Sequence, residues 1–285
     1  MKFSLIIVLF CATTYAQQIT AYSIFTSKGK PTTIEKMAKK LAKNEVVFFG
    51  EYHDNPISHW LELELLMQFN QIHAGKSMAL GLEMFELHQK EAFSNYLTHQ
   101  SYEKLKEETE LWPNFKNDYK PIIDTAISQG NIPFAANITR KYASLVFKKG
   151  LSSLDTLSDE AKLCIAPLPF PFDSTLSQYA ELIKMGKDMH GSGIQFALSQ
   201  AIKDATMGTS IVSQLKTTPF VYFLNGAFHS DYHQGIAWYV EQYRAGTKIG
   251  TVSTVSQFDV RKLNSKYKGK ADFILVVDEN MIKTR

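Results

Sequence analysis

Glu51, His53, Asp54 and His59 place two carboxylates and two imidazoles within nine residues of chain. Groups of these types can ligate zinc, manganese or iron, or pass protons to and from water. Glu83, Asn137, Arg140 and His229 complete a candidate pocket of eight residues. If the protein is a hydrolase, Glu51, His53, Glu83 and His229 are its catalytic groups. Glu51 would then act as general base on water, with His53 and His229 orienting it or stabilising charge. Each residue also has a plainer role open to it. Glu83 could sit in a structural ion pair with Arg140 or a histidine, since an unpaired buried carboxylate is costly. His53 could cap the next helix, His59 could be a hydrogen-bonded core histidine, and Arg140 could lie on the surface. No His-x-x-x-His pair falls within a predicted helix, and there is no Gly-x-Ser-x-Gly turn or phosphate-binding glycine pattern to narrow the chemistry.

A second group combines Lys187-Asp188-Met189-His190 with His229-Ser230-Asp231-Tyr232-His233. Tyr and His serve as axial haem ligands, and Lys or His can hold propionates. Tyr232, His190 and Lys187 are therefore candidate haem contacts.

Strands alternating with helices must position these residues. Val46–Phe49, Ser77–Met84, Ile132–Ala136, Phe220–Leu224, Lys248–Val255 and Phe273–Val277 read as strands, several of them apolar on both sides. Such strands belong to parallel sheets covered on both faces. Helices are predicted between them, starting with Pro56–Gln71, where Asp54 or Asn55 can be the N-cap and Pro56 fits the first turn. Residues 151–208 carry helical patterns and no strand, and read as a helical subdomain. The expected fold is a three-layer α/β/α core with a mostly parallel sheet and helical insertions. In such sheets ligands sit outside the carboxyl ends of the strands. Glu51, His53, Glu83, Asn137 and His229 all stand at such ends, and they converge if their strands are neighbours.

The chain has 285 residues, 45% of them hydrophobic and 21% charged, which suits a single globular domain over 17–285. A net charge of +3 without a long basic run speaks against nucleic acid as a partner. Residues 1–16 read as an export signal: Lys2, an apolar run from Phe3 to Phe10, and Thr14-Tyr15-Ala16 before a cleavage point. Cleavage after Ala16 is preferred to lipid attachment at Cys11, because Phe10 precedes that cysteine. The protein is thus expected to be exported, periplasmic or membrane-associated. Cys164, in an apolar run, is expected to be a small buried hydrophobe.

Five blocks, in order, resemble the ChaN-like haem-binding family. They are Gly50-Glu51-Tyr52-His53-Asp54 with His59; Gly81-Leu82-Glu83-Met84-Phe85 with Gln89; Ala135 to Arg140; Gln200 to Met207; and Asn225-Gly226-Ala227-Phe228-His229. That family belongs to a wider group with the Tiki proteases and erythromycin esterases. The resemblance implies an α/β/α core, export, and a role in haem or iron acquisition, with an outer-membrane haem uptake system as a partner. It also implies haem bound at a homodimer interface, with a tyrosine on iron. A divalent metal is the other cofactor considered, and an ester- or peptide-cleaving hydrolase the other function.

Overall fold

The computed structural model describes residues 20–188 and 192–284. Its middle layer is one sheet of eight strands: β1 (Tyr22–Thr26), β2 (Pro31–Thr32), β3 (Val46–Glu51), β4 (Ala79–Glu86), β5 (Ile132–Asn137), β6 (Val221–Gly226), β7 (Ile249–Gln257) and β8 (Phe273–Asp278). The helices are α1 (Ile34–Leu41), α2 (Pro56–Ile72), α3 (Lys90–His99), α4 (Tyr102–Glu108), α5 (Lys120–Ser128), α6 (Arg140–Lys149), α7 (Asp159–Lys162), α8 (Ser177–Asp188), α9 (Gly193–Gln214) and α10 (Ile236–Tyr243). The strand order is β2-β1-β8-β7-β3-β6-β4-β5, parallel from β8 to β5, with β1 antiparallel to both of its neighbours. This is the three-layer, mostly parallel α/β fold that the alternation predicts.

The two N-terminal strands were not predicted. Tyr22-Ser23-Ile24-Phe25-Thr26 is short and its polarity alternates weakly. It becomes a strand by pairing with β8, from Tyr22 opposite Val277 to Thr26 opposite Phe273. A partner so distant in sequence leaves no local trace.

Strand alternation divides the core. Val47 and Phe49 of β3 pack with Leu61, Leu65 and Phe69 of α2 and Ile122 and Ile123 of α5. Val46 and Phe48 pack on the opposite face, with Met207 and Ile211 of α9 and Val240 of α10. Helix α9 runs six residues beyond residue 208, where the predicted helical subdomain ends. Gly208, Thr209 and Ser210 weaken the helical signal there. Gly208 is required by packing: a Cβ on it would lie 2.8 Å from Tyr239 Cβ on α10. The first half of α9 joins α6 and α8 in a separate cluster through Ala197, Ala201 and Ile202. Cys164 is only half-buried, because it follows α7 on a turn whose Leu163 is 80% exposed. Among the described residues no helix is long and apolar enough to cross a membrane.

Candidate functional site

β3, β6 and β4 are adjacent, so their carboxyl ends share one edge. After β3 the chain turns sharply into α2. Asn55 is the N-cap: its Oδ1 accepts from the Ser58 N–H at 3.0 Å, and Pro56 opens the helix. Asp54 instead faces the crevice mouth, where Lys283 Nζ lies 2.7 Å from its carboxylate. At the end of β6, Gly226 admits His53, since a Cβ there would lie 2.8 Å from His53 Nε2.

Glu51 turns towards α2 and is 1% exposed. Its Oε1 accepts from the Tyr119 hydroxyl at 2.5 Å and pairs with His53 Nδ1 at 2.6 Å. Its Oε2 lies 3.6 Å from His59 Nδ1, which lies 3.0 Å from Glu62 Oε2. His59 Nε2 is 3.2 Å from the His53 carbonyl oxygen. Asn114 donates to that same carbonyl at 2.7 Å and to Asp118 at 2.6 Å. Burial alone would raise the Glu51 carboxyl, but the His59 and His53 imidazoles outweigh it and hold it well below the usual range. The Glu62 carboxyl is pushed far up, by burial first and then by the charge of Glu51. One proton between two buried carboxylates is the stable arrangement.

Glu83 turns the other way, towards α9. Its Oε2 accepts from the Gly226 N–H at 2.7 Å and its Oε1 lies 3.5 Å from His229 Nε2. His229 Nδ1 pairs with Asp204 Oδ1 at 2.5 Å, and the Tyr179 hydroxyl donates to Asp204 Oδ2 at 2.6 Å. Burial works against a charged His229, yet the charges of Glu83 and Asp204 win and raise its pKa. Burial raises Asp204 despite His229. A carboxylate that fixes one imidazole nitrogen and leaves the other facing a cavity is the arrangement of a general base or an oriented metal ligand.

Two cavities meet at this edge, and His53 and His229 line both. One, of about 610 Å³, has an apolar wall of Leu182, Phe196 and Phe228. The other, of about 960 Å³, is charged and is lined by Glu83, Asn137, Arg140 and Lys203 among others.

The structure therefore gathers Glu51, His53, Asp54, Glu83, Asn137, Arg140 and His229 around one crevice. His59 does not line it: the first turn of α2 points it inward, to Glu62. Arg140 does not pair with Glu83; its backbone N–H donates to Glu86 at 2.9 Å. Asn137 buttresses the strand end, with its Nδ2 donating to the Glu83 carbonyl at 3.0 Å. Tyr232 lines neither cavity and is 44% exposed. His190 and the side chain of Lys187 lie outside the described residues. Sequence reasoning missed Glu62, Tyr119, Tyr179 and Asp204. Glu62 and Asp204 had a signal, as charged residues within otherwise apolar buried helices.

The architecture is that of an open α/β protein with a polar crevice at its strand ends. A sequence profile described as "Haem-binding uptake, Tiki superfamily, ChaN" matches residues 37–240, and the chain belongs to that family. Among solved structures, ChaN of Campylobacter jejuni, described as binding haem cofacially, is similar at 16% identity, with a TM-score of 0.68 over 90% of this chain and 96% of that one. An erythromycin esterase mutant in its open conformation is similar at 10% identity, with a TM-score of 0.47 over 90% and 83%. A type III effector is similar at 12% identity, with a TM-score of 0.47 over 86% and 92%. The last two superpositions are too loose to carry an argument. No curated protein matches the chain.

Proposed function

We propose that this is an exported haem-binding protein for haem or iron acquisition, with the Tyr232 phenolate as oxygen ligand to iron. The presentation of that phenol carries the reading. Tyr232 is exposed, and its backbone sits in the left-handed region at φ 60°. A non-glycine residue there costs about 1–3 kcal/mol and persists only where its surroundings enforce it. Here the Tyr232 N–H donates to the Lys270 carbonyl at 2.6 Å. Lys270 Nζ pairs with the neighbouring Asp231 and lies 5.2 Å from the Tyr232 ring centroid. A rigid phenol beside an ammonium group suits an iron whose macrocycle carries propionates. Lys187 and His190 are assigned to the propionates.

Family membership supports haem as the ligand. The cofacial haem binding described for ChaN of Campylobacter jejuni supports two copies of this chain enclosing a pair of haems. Residues 1–16 support export, and an outer-membrane uptake system would be the partner. Haemin added to the purified protein is expected to shift the Soret band and double the mass. Tyr232→Phe should weaken binding at least tenfold, about 1.4 kcal/mol. A spectrum equal to free haemin plus apoprotein would overturn the haem reading, and unchanged affinity in the variant would overturn the role of Tyr232.

A hydrolytic reading rests on one specific observation, the Asp204–His229 pair facing Glu83 across the crevice. It predicts ester or peptide cleavage that Glu83→Gln and His229→Asn abolish with folding intact. Unchanged turnover in both variants would remove it.

A further inference from the structure

We propose that Glu51, His59 and Glu62 form a buried, structural site for one divalent transition cation, set behind the crevice, with Glu51 as the one ligand that also reaches the crevice wall. The three side chains each offer a ligand atom, and these atoms lie within 4.8 Å of one another. Atoms bound about 2.1 Å from a common ion stand roughly 3.0–3.4 Å apart in octahedral or tetrahedral arrangements. His59 Nδ1 lies 3.0 Å from Glu62 Oε2 and 3.6 Å from Glu51 Oε2, so both imidazole–carboxylate separations are near those around a bound ion.

Two independent features point to an ion. Glu51 Oε2 and Glu62 Oε1 are fully buried and lack a hydrogen-bond partner, and Glu51 Oε2 is aimed at the imidazole. Buried carboxylate oxygens rarely go unsatisfied. The second feature is the outer shell. His59 Nε2, at 3.2 Å from the His53 carbonyl, is placed to donate, which directs the lone pair of Nδ1 between the two carboxylates. Glu51 is held on its far oxygen by Tyr119 and His53. A 2+ ion balances two carboxylates, and this donor set of one imidazole nitrogen and carboxylate oxygens suits zinc or manganese.

Enclosure makes the site structural. It would tie the end of β3 to the first turns of α2. It would also fix Glu51, whose other oxygen orients His53 at the crevice, so the ion acts on the crevice through His53.

The test is metal analysis of the purified full chain, loaded with zinc, manganese or cobalt and dialysed. One equivalent per chain is expected, reduced at least tenfold in Glu62→Gln and retained in Glu83→Gln. The X-ray absorption spectrum of the loaded wild-type protein should contain a single imidazole. That count decides the matter if Glu62→Gln fails to fold or both variants lose the ion. Absence of a bound ion overturns the proposal. So does an ion that Glu83→Gln removes and Glu62→Gln keeps, or one bound by two imidazoles, because either places it among His53, Glu83 and His229.

Discussion

Two carboxylate–histidine groups stand at the same edge of the sheet, built from the same residue types. Glu51 with His59 and Glu62 is buried beneath α2, with only Glu51 reaching the crevice wall, whereas Glu83 with His229 and Asp204 opens on the crevice. Strand parity separates them. Glu51 follows Val47 and Phe49 on the face that packs against α2 and α5, and Glu83 follows Ala79 and Gly81 on the face of α9. His53 joins the two, with Nδ1 on Glu51 and Nε2 against Gly226. Residue type alone therefore does not define a site here. The buried group should govern stability and the open one should govern what the crevice does.

Removing Glu51 should separate the two groups most sharply. Glu51→Ala leaves buried partners uncompensated and should cost about 3–5 kcal/mol in urea denaturation. Glu83→Ala should cost clearly less; equal losses would erase the distinction. Tyr119→Phe, which deletes a hydrogen bond to a charged acceptor, should cost about 1.5–3 kcal/mol by the same assay. Gly226→Ala puts a methyl group against the His53 ring and should cost about 1–3 kcal/mol, while shifting the His53 and His229 imidazole resonances together. Independent resonances would show that His53 does not couple the groups.

The pH response should differ as well. Glu62 is raised, so above the ordinary carboxyl range the folded metal-free chain keeps a proton that the unfolded chain has released. Its contribution to stability therefore falls as pH rises towards its folded value. Glu62→Gln should flatten that fall between pH 5 and 8 in chelator-treated protein. Glu51 is lowered and acts in the opposite sense: its stabilisation is lost as pH drops below the ordinary carboxyl range. The smallest effect is at the crevice, where the His229 imidazole should titrate above the ordinary 6.5 in an NMR pH series, because Glu83 and Asp204 hold its proton.

The crevice was legible because apolar strands end abruptly in polar residues at Glu51, Glu83, Asn137 and Asn225, and parallel order brings such ends together. The partners were not. Asp204 and Tyr119 reach the site from elements 121 and 68 residues away from Glu83 and Glu51 in hydrogen-bonded contacts that no local pattern encodes: Asp204 through His229, 25 residues on, and Tyr119 directly to Glu51, 68 residues back. His59 was visible as a residue but not in its orientation, which depends on which face of α2 meets the sheet. Glu62, three residues on, was the available clue. The C-terminal segment was equally silent. Thr284 closes on the opening turn, its N–H donating to the Asp54 carbonyl at 2.9 Å and its hydroxyl to Asp118 at 2.7 Å.

The central proposal is that haem is held by the exposed Tyr232, while the buried Glu51–His59–Glu62 group takes no part in binding it. Parallel haemin titrations of the wild type, Tyr232→Phe and Glu62→Gln test it most directly. A Soret shift is expected in the wild type, with affinity reduced at least tenfold in Tyr232→Phe and within twofold of wild type in Glu62→Gln. Loss of haem binding in a folded Glu62→Gln protein, with Tyr232→Phe unaffected, would contradict it.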